Sequence, residues 1–118
     1  MDLTIEADHC MPARIKLGEA KIYNGPNYHI VGLGQLIGRY TTGREGRGLL
    51  IEYVRKPDIK VKMANIRIHL DDRLPLNQSG PSKDHVIKWA FLTEHKHSSG
   101  GNVQVGHVGC NLYLEDKG

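Results

Sequence analysis

Leu49 to Arg73 reads LLIEYVRKPDIKVKMANIRIHLDDR, and the fold turns on how this stretch is read. Ile59, Val61 and Met63 alternate with Lys60 and Lys62, then Ile66, Ile68 and Leu70 alternate with Arg67, His69 and Asp71. A period of two, rich in β-branched residues, is the pattern of a half-buried strand. The apolar parity flips between Met63 and Ile66. A two-residue hairpin turn at Ala64-Asn65 accommodates the flip, and so does a β-bulge inside one long strand. Ala-Asn is poor chemistry for a tight hairpin, and a hairpin sets Lys62 opposite Arg67, like charge facing like charge. The bulged strand is therefore the expectation. It places Ile59, Val61, Met63, Ile66, Ile68 and Leu70 in the core, with Trp89 and Phe91 from a later run.

Outward from there, the chain reads as short alternating segments. Leu3 to Ala7 and Ile15 to Leu17 are strand-like, and Lys21 to Tyr23 continues the second beyond Gly18. Asn24-Gly25-Pro26-Asn27 is a turn, and Tyr28 to Val31 starts a further strand. Gly32, Gly34 and Gly38 have the wrong spacing for a dinucleotide loop, and no βαβ unit is legible around them. Residues 74–82, LPLNQSGPS, form a loop. His85 to Thr93, HVIKWAFLT, is apolar on both sides of a strand, as a covered central strand is, although a short helix near 82–92 also fits its spacing. Glu94 to Asn102 is a loop. Val103 to His107 and Leu112 to Leu114 alternate again, with a turn or bulge at Gly109-Cys110. Roughly eight short strands at regular spacing predict a single all-β domain over 1–118, an antiparallel jelly-roll-like sandwich or barrel.

The chain has 118 residues, 14 glycines and a net charge of +3, with ordinary hydrophobic and charged fractions of 39% and 25%, so it is globular rather than disordered. No window approaches the ~18 apolar residues of a membrane span, and the start MDLTIEADHC has no signal-peptide pattern, so an intracellular location is expected. Residues 39–67 hold eight Lys/Arg against three acids, and this asymmetry points to a polyanion. The expected phosphate-binding set is Arg39, Arg44 and Arg47 in and around the loop TTGREGRG, with Lys60, Lys62 and Arg67 on the polar face of the sheet. Tyr40 and Tyr53 flank that loop as base-stacking candidates.

Chemistry is sparser. His95-x-His97, with His107 downstream, can grip one divalent metal if the pair lies on a strand. The pair is similar to the HxH of cupin jelly rolls, but the glutamate that follows in cupins is Ser98-Ser99 here. Pro57-Asp58 with Glu94-x-Lys96 loosely echoes a nuclease pattern, and His69, Asp71 and Asp72 could hold a hard cation. Cys10 and Cys110 form no CxxC motif, and a disulfide between them is not expected in a reducing compartment. These readings favour a non-enzymatic nucleic-acid-binding protein with no required cofactor. The alternatives are a self-associating coat-like or phage-type structural subunit, and a metal-dependent enzyme on a small barrel.

Overall fold

The computed structural model describes residues 2–7, 14–40 and 46–114, with side chains described over 18–38 and 46–114. The architecture is not an all-β sandwich. Six strands form one mixed sheet: β1 (Asp2–Ala7), β2 (Arg14–Ile22), β3 (Arg47–Val54), β4 (Lys83–Asp84), β5 (Ala90–Lys96) and β6 (Asn102–Asn111). Two helices, α1 (Pro26–Gln35, prolonged by a π turn, Leu36–Tyr40) and α2 (Ile59–Arg73), complete the α/β fold.

The organising stretch is where the strand reading fails. Residues 59–73 are one 15-residue helix, α2. Ile59, Met63, Ile66 and Leu70 are its buried residues, spaced by four, three and four. The parity flip is thus the three-residue step of a helical face, not a bulge. Val61 and Ile68, which fit only the period-two reading, are 55% and 63% exposed. A strand of that length would also be unusually long, whereas four turns of helix are ordinary. Leu74, in the left-handed region at φ 47°, ends α2, and its amide donates to the Leu70 carbonyl at 2.8 Å.

The segment 26–40 is the second reversal. Pro26 occupies a first-turn position of α1, where its missing N–H costs nothing. His29, Leu33, Leu36 and Ile37 then recur on one buried face. Gly32 lets α1 lie close to the sheet. A Cβ there would stand 3.2 Å from Lys21 Cγ and 3.5 Å from Leu50 Cδ1.

The strand order is β1-β2-β3-β6-β5-β4. β2, β3 and β6 are mutually parallel, while β1, β5 and β4 each pair antiparallel with a neighbour. The crossovers from β2 to β3 and from β3 to β4 step across the sheet in the same direction, and α1 and α2 lie together over one face, sharing one core cluster. Leu50, Glu52 and Val54, with Phe91, Thr93 and His95 and with Val103, Val105 and His107, point to that face and are buried. Leu49, Ile51, Tyr53, Leu92 and Val108 point the other way and are half-buried, with no described helix over them. The predicted 85–93 strand is displaced. Strand β5 starts at Ala90, Val86 and Ile87 are exposed, and Trp89 is half-buried at φ 59°. Gly109-Cys110 is neither a turn nor a bulge but part of β6. Among the described residues no helix is long and apolar enough to cross a membrane.

Candidate functional site

Five polar residues occupy the centre of the helix-covered face. Glu52 comes from β3, His107 from β6, Thr93 and His95 from β5, and His29 from α1. Strand alternation aims the four strand residues inward. His29 reaches them because it lies on the buried face of α1, one turn before Leu33. In the β5–β6 register His107 is opposite Phe91, and in β3–β6 it is opposite Leu50. The Phe91 and His107 rings stack with centroids 4.5 Å apart.

The five form one chain of hydrogen bonds. Glu52 Oε1 lies 2.7 Å from His29 Nδ1, and His29 Nε2 lies 2.7 Å from His107 Nδ1. The Thr93 hydroxyl lies 2.7 Å from both His107 Nε2 and His95 Nε2. His95 Nδ1 ends the chain 3.1 Å from the Leu76 carbonyl oxygen. All three histidines and Glu52 are 0% exposed. Buried polar groups are tolerable when bonded in this way and costly otherwise. Glu52 Oε2 is the exception, buried without a hydrogen-bond partner.

Burial removes the solvent that stabilises an imidazolium. It therefore pushes His107 well below its usual value, helped by His29 and His95 nearby, and pushes His95 down despite backbone carbonyls at Leu76 and Pro75. The Tyr23 hydroxyl is pushed up by burial and then by the Glu52 charge. A carboxylate–imidazole pair is the usual equipment of general acid–base chemistry. Here all three rings and the Glu52 carboxyl are fully buried.

The histidines predicted as metal ligands divide. His95 and His107 do come together, but on a shared hydroxyl. His97 sits in the following loop, with Ser99 Oγ 3.1 Å from its Nδ1. His29 Nε2 and His107 Nδ1 face each other at 2.7 Å, closer than two nitrogens both 2.0–2.1 Å from one ion would stand. Among the described residues no group of three or more His, Cys, Asp or Glu could hold a metal ion. Asp71 accepts hydrogen bonds from the Ser82 amide and hydroxyl and from Gln78, and these tie the 74–82 loop to α2.

The predicted basic set disperses. Lys60, Lys62 and Arg67 belong to α2 rather than to a sheet face. The Lys62 ammonium donates to the Pro57 carbonyl at 2.7 Å and stands over the Tyr23 ring. Arg67 donates to Ser82 Oγ and to Asp84 Oδ1, both at 2.6 Å. Arg47 is exposed on the other side, at the rim of a groove floored by Leu49, Leu92 and Gly106. Tyr53 is half-buried on the face without helices. Arg44 and the side chains of Arg39 and Tyr40 lie outside the described residues.

One place does join cations to an aromatic. A groove of about 200 Å³ runs between α2 and the start of β5, lined by Lys60, Met63, Ala64, Arg67, Trp89, Ala90 and Phe91. Lys88 Nζ stands 5.4 Å from the Trp89 ring centroid, and Arg67 Cζ 5.7 Å from that of Phe91. Arg55 and Lys56, both exposed, precede α2 at the same end of β3. The N-cap residue Asp58 makes no side-chain cap bond, and the first turn of α2 itself carries no acidic residue. Trp89 holds a left-handed backbone that bulky residues rarely adopt, a kind of strain that gathers at functional positions. Sequence reading assigned Trp89 to the core from strand parity. In the structure Trp89 is half-buried, packed against the edge of the core cluster.

No protein-family model matches this chain, and neither a curated protein nor a solved structure matches it.

Proposed function

We propose that this protein binds single-stranded nucleic acid, or a comparable chain of phosphates, in the groove between α2 and β5. The observation that carries the reading is the pairing of a half-buried Trp89 with Lys60 and Arg67 along one groove, with Lys88 standing over the Trp89 ring. Base–aromatic stacking tolerates any sequence because every base has a π-face, and flanking cations follow the backbone. Arg67 contributes less charge than Lys60, because Asp84 already faces it. Arg55 and Lys56 extend the positive surface toward the groove entrance. Lys60 also lies in the first turn of α2, where backbone amides lack helical partners and the helix dipole favours an anion.

The test is titration with short fluorescent oligonucleotides across a salt series. Affinity should fall with a log–log slope near −0.7 for each phosphate contacted by a single strand. Lys60→Ala should reduce that slope by about one contact while leaving the melting temperature unchanged. No measurable binding at ~50 mM salt, where such contacts are strongest, rejects the reading.

A second reading rests on the sheet face without a described helix, whose Leu49, Ile51, Tyr53 and Val108 are half-buried. A second copy of the chain laid on that face would make the protein a self-associating structural subunit. Light scattering on a sizing column decides between a monomer and a dimer.

A further inference from the structure

The chain of bonds from Glu52 to Leu76 has an acceptor at each end. A side-chain carboxyl oxygen closes one end and a backbone carbonyl the other. Between them lie five donor–acceptor links through His29, His107, Thr93 and His95, and each link needs one hydrogen. Three neutral imidazoles and one hydroxyl bring one hydrogen each, four in all. The fifth must be an additional proton.

We propose that this chain is a built-in one-proton site, occupied in the folded protein, and that emptying it breaks the tie between His95 and the Leu76 carbonyl. With the site occupied, His29 donates from both nitrogens, to Glu52 and to His107. His107 Nε2–H then donates to Thr93, Thr93 O–H to His95 Nε2, and His95 Nδ1–H to Leu76. The cluster is then neutral overall, one cation against one carboxylate, as a dry core requires. The charge can move. The proton on His29 Nε2 passes to His107 Nδ1, that on His107 Nε2 to Thr93 Oγ, and that on Thr93 to His95 Nε2. Every link remains satisfied, and one positive charge has crossed from α1 to β5. Attraction to Glu52 favours the His29 end, and the lowered affinities of His107 and His95 disfavour the other.

Removing the fifth proton leaves one link without hydrogen. If Glu52 keeps its donor from His29, every bond reverses in turn. The defect then falls at His95 Nδ1, where a lone pair faces the Leu76 oxygen at 3.1 Å, the longest link of the five. The loop there is under backbone strain. Leu74, Leu76 and Asn77 all hold left-handed conformations, at φ 47°, 56° and 59°. Such residues persist only when their surroundings hold them. Asn77 O accepts from the Lys96 amide at 3.1 Å, and His95 supplies the matching tie at Leu76. Leu76, Asn77, Lys96 and His97 line the surface groove beyond, so this tie shapes one of its walls.

The other charged or titratable groups around the cluster do not replace the missing hydrogen. From β2, Lys21 stands 3.5 Å from Glu19, and Tyr23 faces the Glu52 charge. From α2, Arg67 is held by Ser82 and Asp84, and Asp71 by Ser82 and Gln78. From α1, Tyr28 lies beneath the Lys21 ammonium.

Glu52→Gln is the decisive variant. The amide is the same shape but can donate from its NH2 to His29 Nδ1, which completes all five links with no additional proton. Nitrogen-15 spectra of the histidine rings, with the carbon-13 shift of the Glu52 carboxyl, count protons directly. At pH 7.5 we expect one imidazolium, or one protonated carboxyl, in the native chain and neither in the variant. Between pH 7.5 and 9 the unfolding equilibrium constant should rise up to tenfold more per unit in the native chain than in the variant. Amide shifts of residues 74–78 should move over the same range only in the native chain. Three neutral rings beside an ionised Glu52 in the native protein overturn the proposal. So does stoichiometric transition metal in the purified protein, which would replace the proton. If the variant does not fold, the native spectra decide alone.

Discussion

The molecule gathers polar side chains in two places, and they are opposites. In the core, Glu52, His29, His107, Thr93 and His95 close on one another, with all but Glu52 Oε2 engaged. At the α2–β5 groove, exposed Lys60 and half-buried Trp89 line an open space, and exposed Lys88 stands over the Trp89 ring. The first arrangement has satisfied itself and has nothing to offer a ligand. The second holds charge and an aromatic plane without a matching acidic partner at Lys60. The contrast sets a polar cluster closed within the fold against one that lies open at the surface.

Thr93→Val tests the inner cluster most severely. It keeps the shape but leaves His95 Nε2 and His107 Nε2 facing a methyl, which should cost about 1–3 kcal/mol for each buried group left unpaired. Denaturant unfolding at pH 7 measures it, and a loss under ~1 kcal/mol would mean that the hydroxyl is not the junction of the chain.

Acid should weaken the same cluster. His95 and His107 have lowered affinities when folded, so the unfolded chain takes up protons that the folded one refuses. The stability they contribute is complete above about pH 6.5 and declines as pH falls below it, by up to about 1.4 kcal/mol per unit for each ring. Unfolding curves at pH 7 and 5.5 check the sign, and a protein more stable at 5.5 contradicts it.

The outer cluster should respond in binding rather than in stability. Trp89→Ala should weaken oligonucleotide affinity by about 1–3 kcal/mol per stacked base, with a smaller effect on folding. If affinity survives intact, the cations act without the ring and the groove is not the site.

The smallest effect distinguishes helix from strand. Ile68→Ala should change stability by no more than about 0.5 kcal/mol, because its side chain is largely in solvent, whereas Ile66→Ala should cost about 2–5 kcal/mol. As a bulged strand the two would share one buried face and cost alike.

These two isoleucines also show why the sequence led to the wrong fold class. Ile59, Met63, Ile66 and Leu70 fit a helix, and adding Val61 and Ile68 makes the same stretch fit a broken strand. Short apolar runs admit both periods, and here length was the better arbiter. Residues 26–40 misled through their glycines, which suggest bulges yet serve close packing at Gly32. The β-strands were legible in part from alternation, at 3–7, 15–17 and 103–107, while the break expected at Gly109-Cys110 lies inside β6. The pairing of His95 with His107 was partly legible, because residues of one parity on β5 and β6 share a face. His29 and Glu52 were not, since only the crossover at α1 and the central place of β3 bring them there. The basic excess of 39–67 was visible, but its spread over a helix, a loop and a strand end depends on the same misjudged helix.

Gly109 remains. A Cβ on it would stand 2.9 Å from Met63 Cγ and 3.2 Å from Ile59 Cδ1, so α2 rests directly on the backbone of β6. The Gly109 amide also donates to the Trp89 carbonyl at 3.1 Å. Ile59 precedes Lys60 in the chain, so the cation on one side of the groove and the ring on the other are both gauged from this one position. A residue without a side chain thereby acts as a spacer of zero thickness. Alanine there would not delete a contact. It would press on the Met63 and Ile59 side chains, so that either they re-pack or α2 shifts against Trp89, changing the aperture while every lining side chain kept its identity.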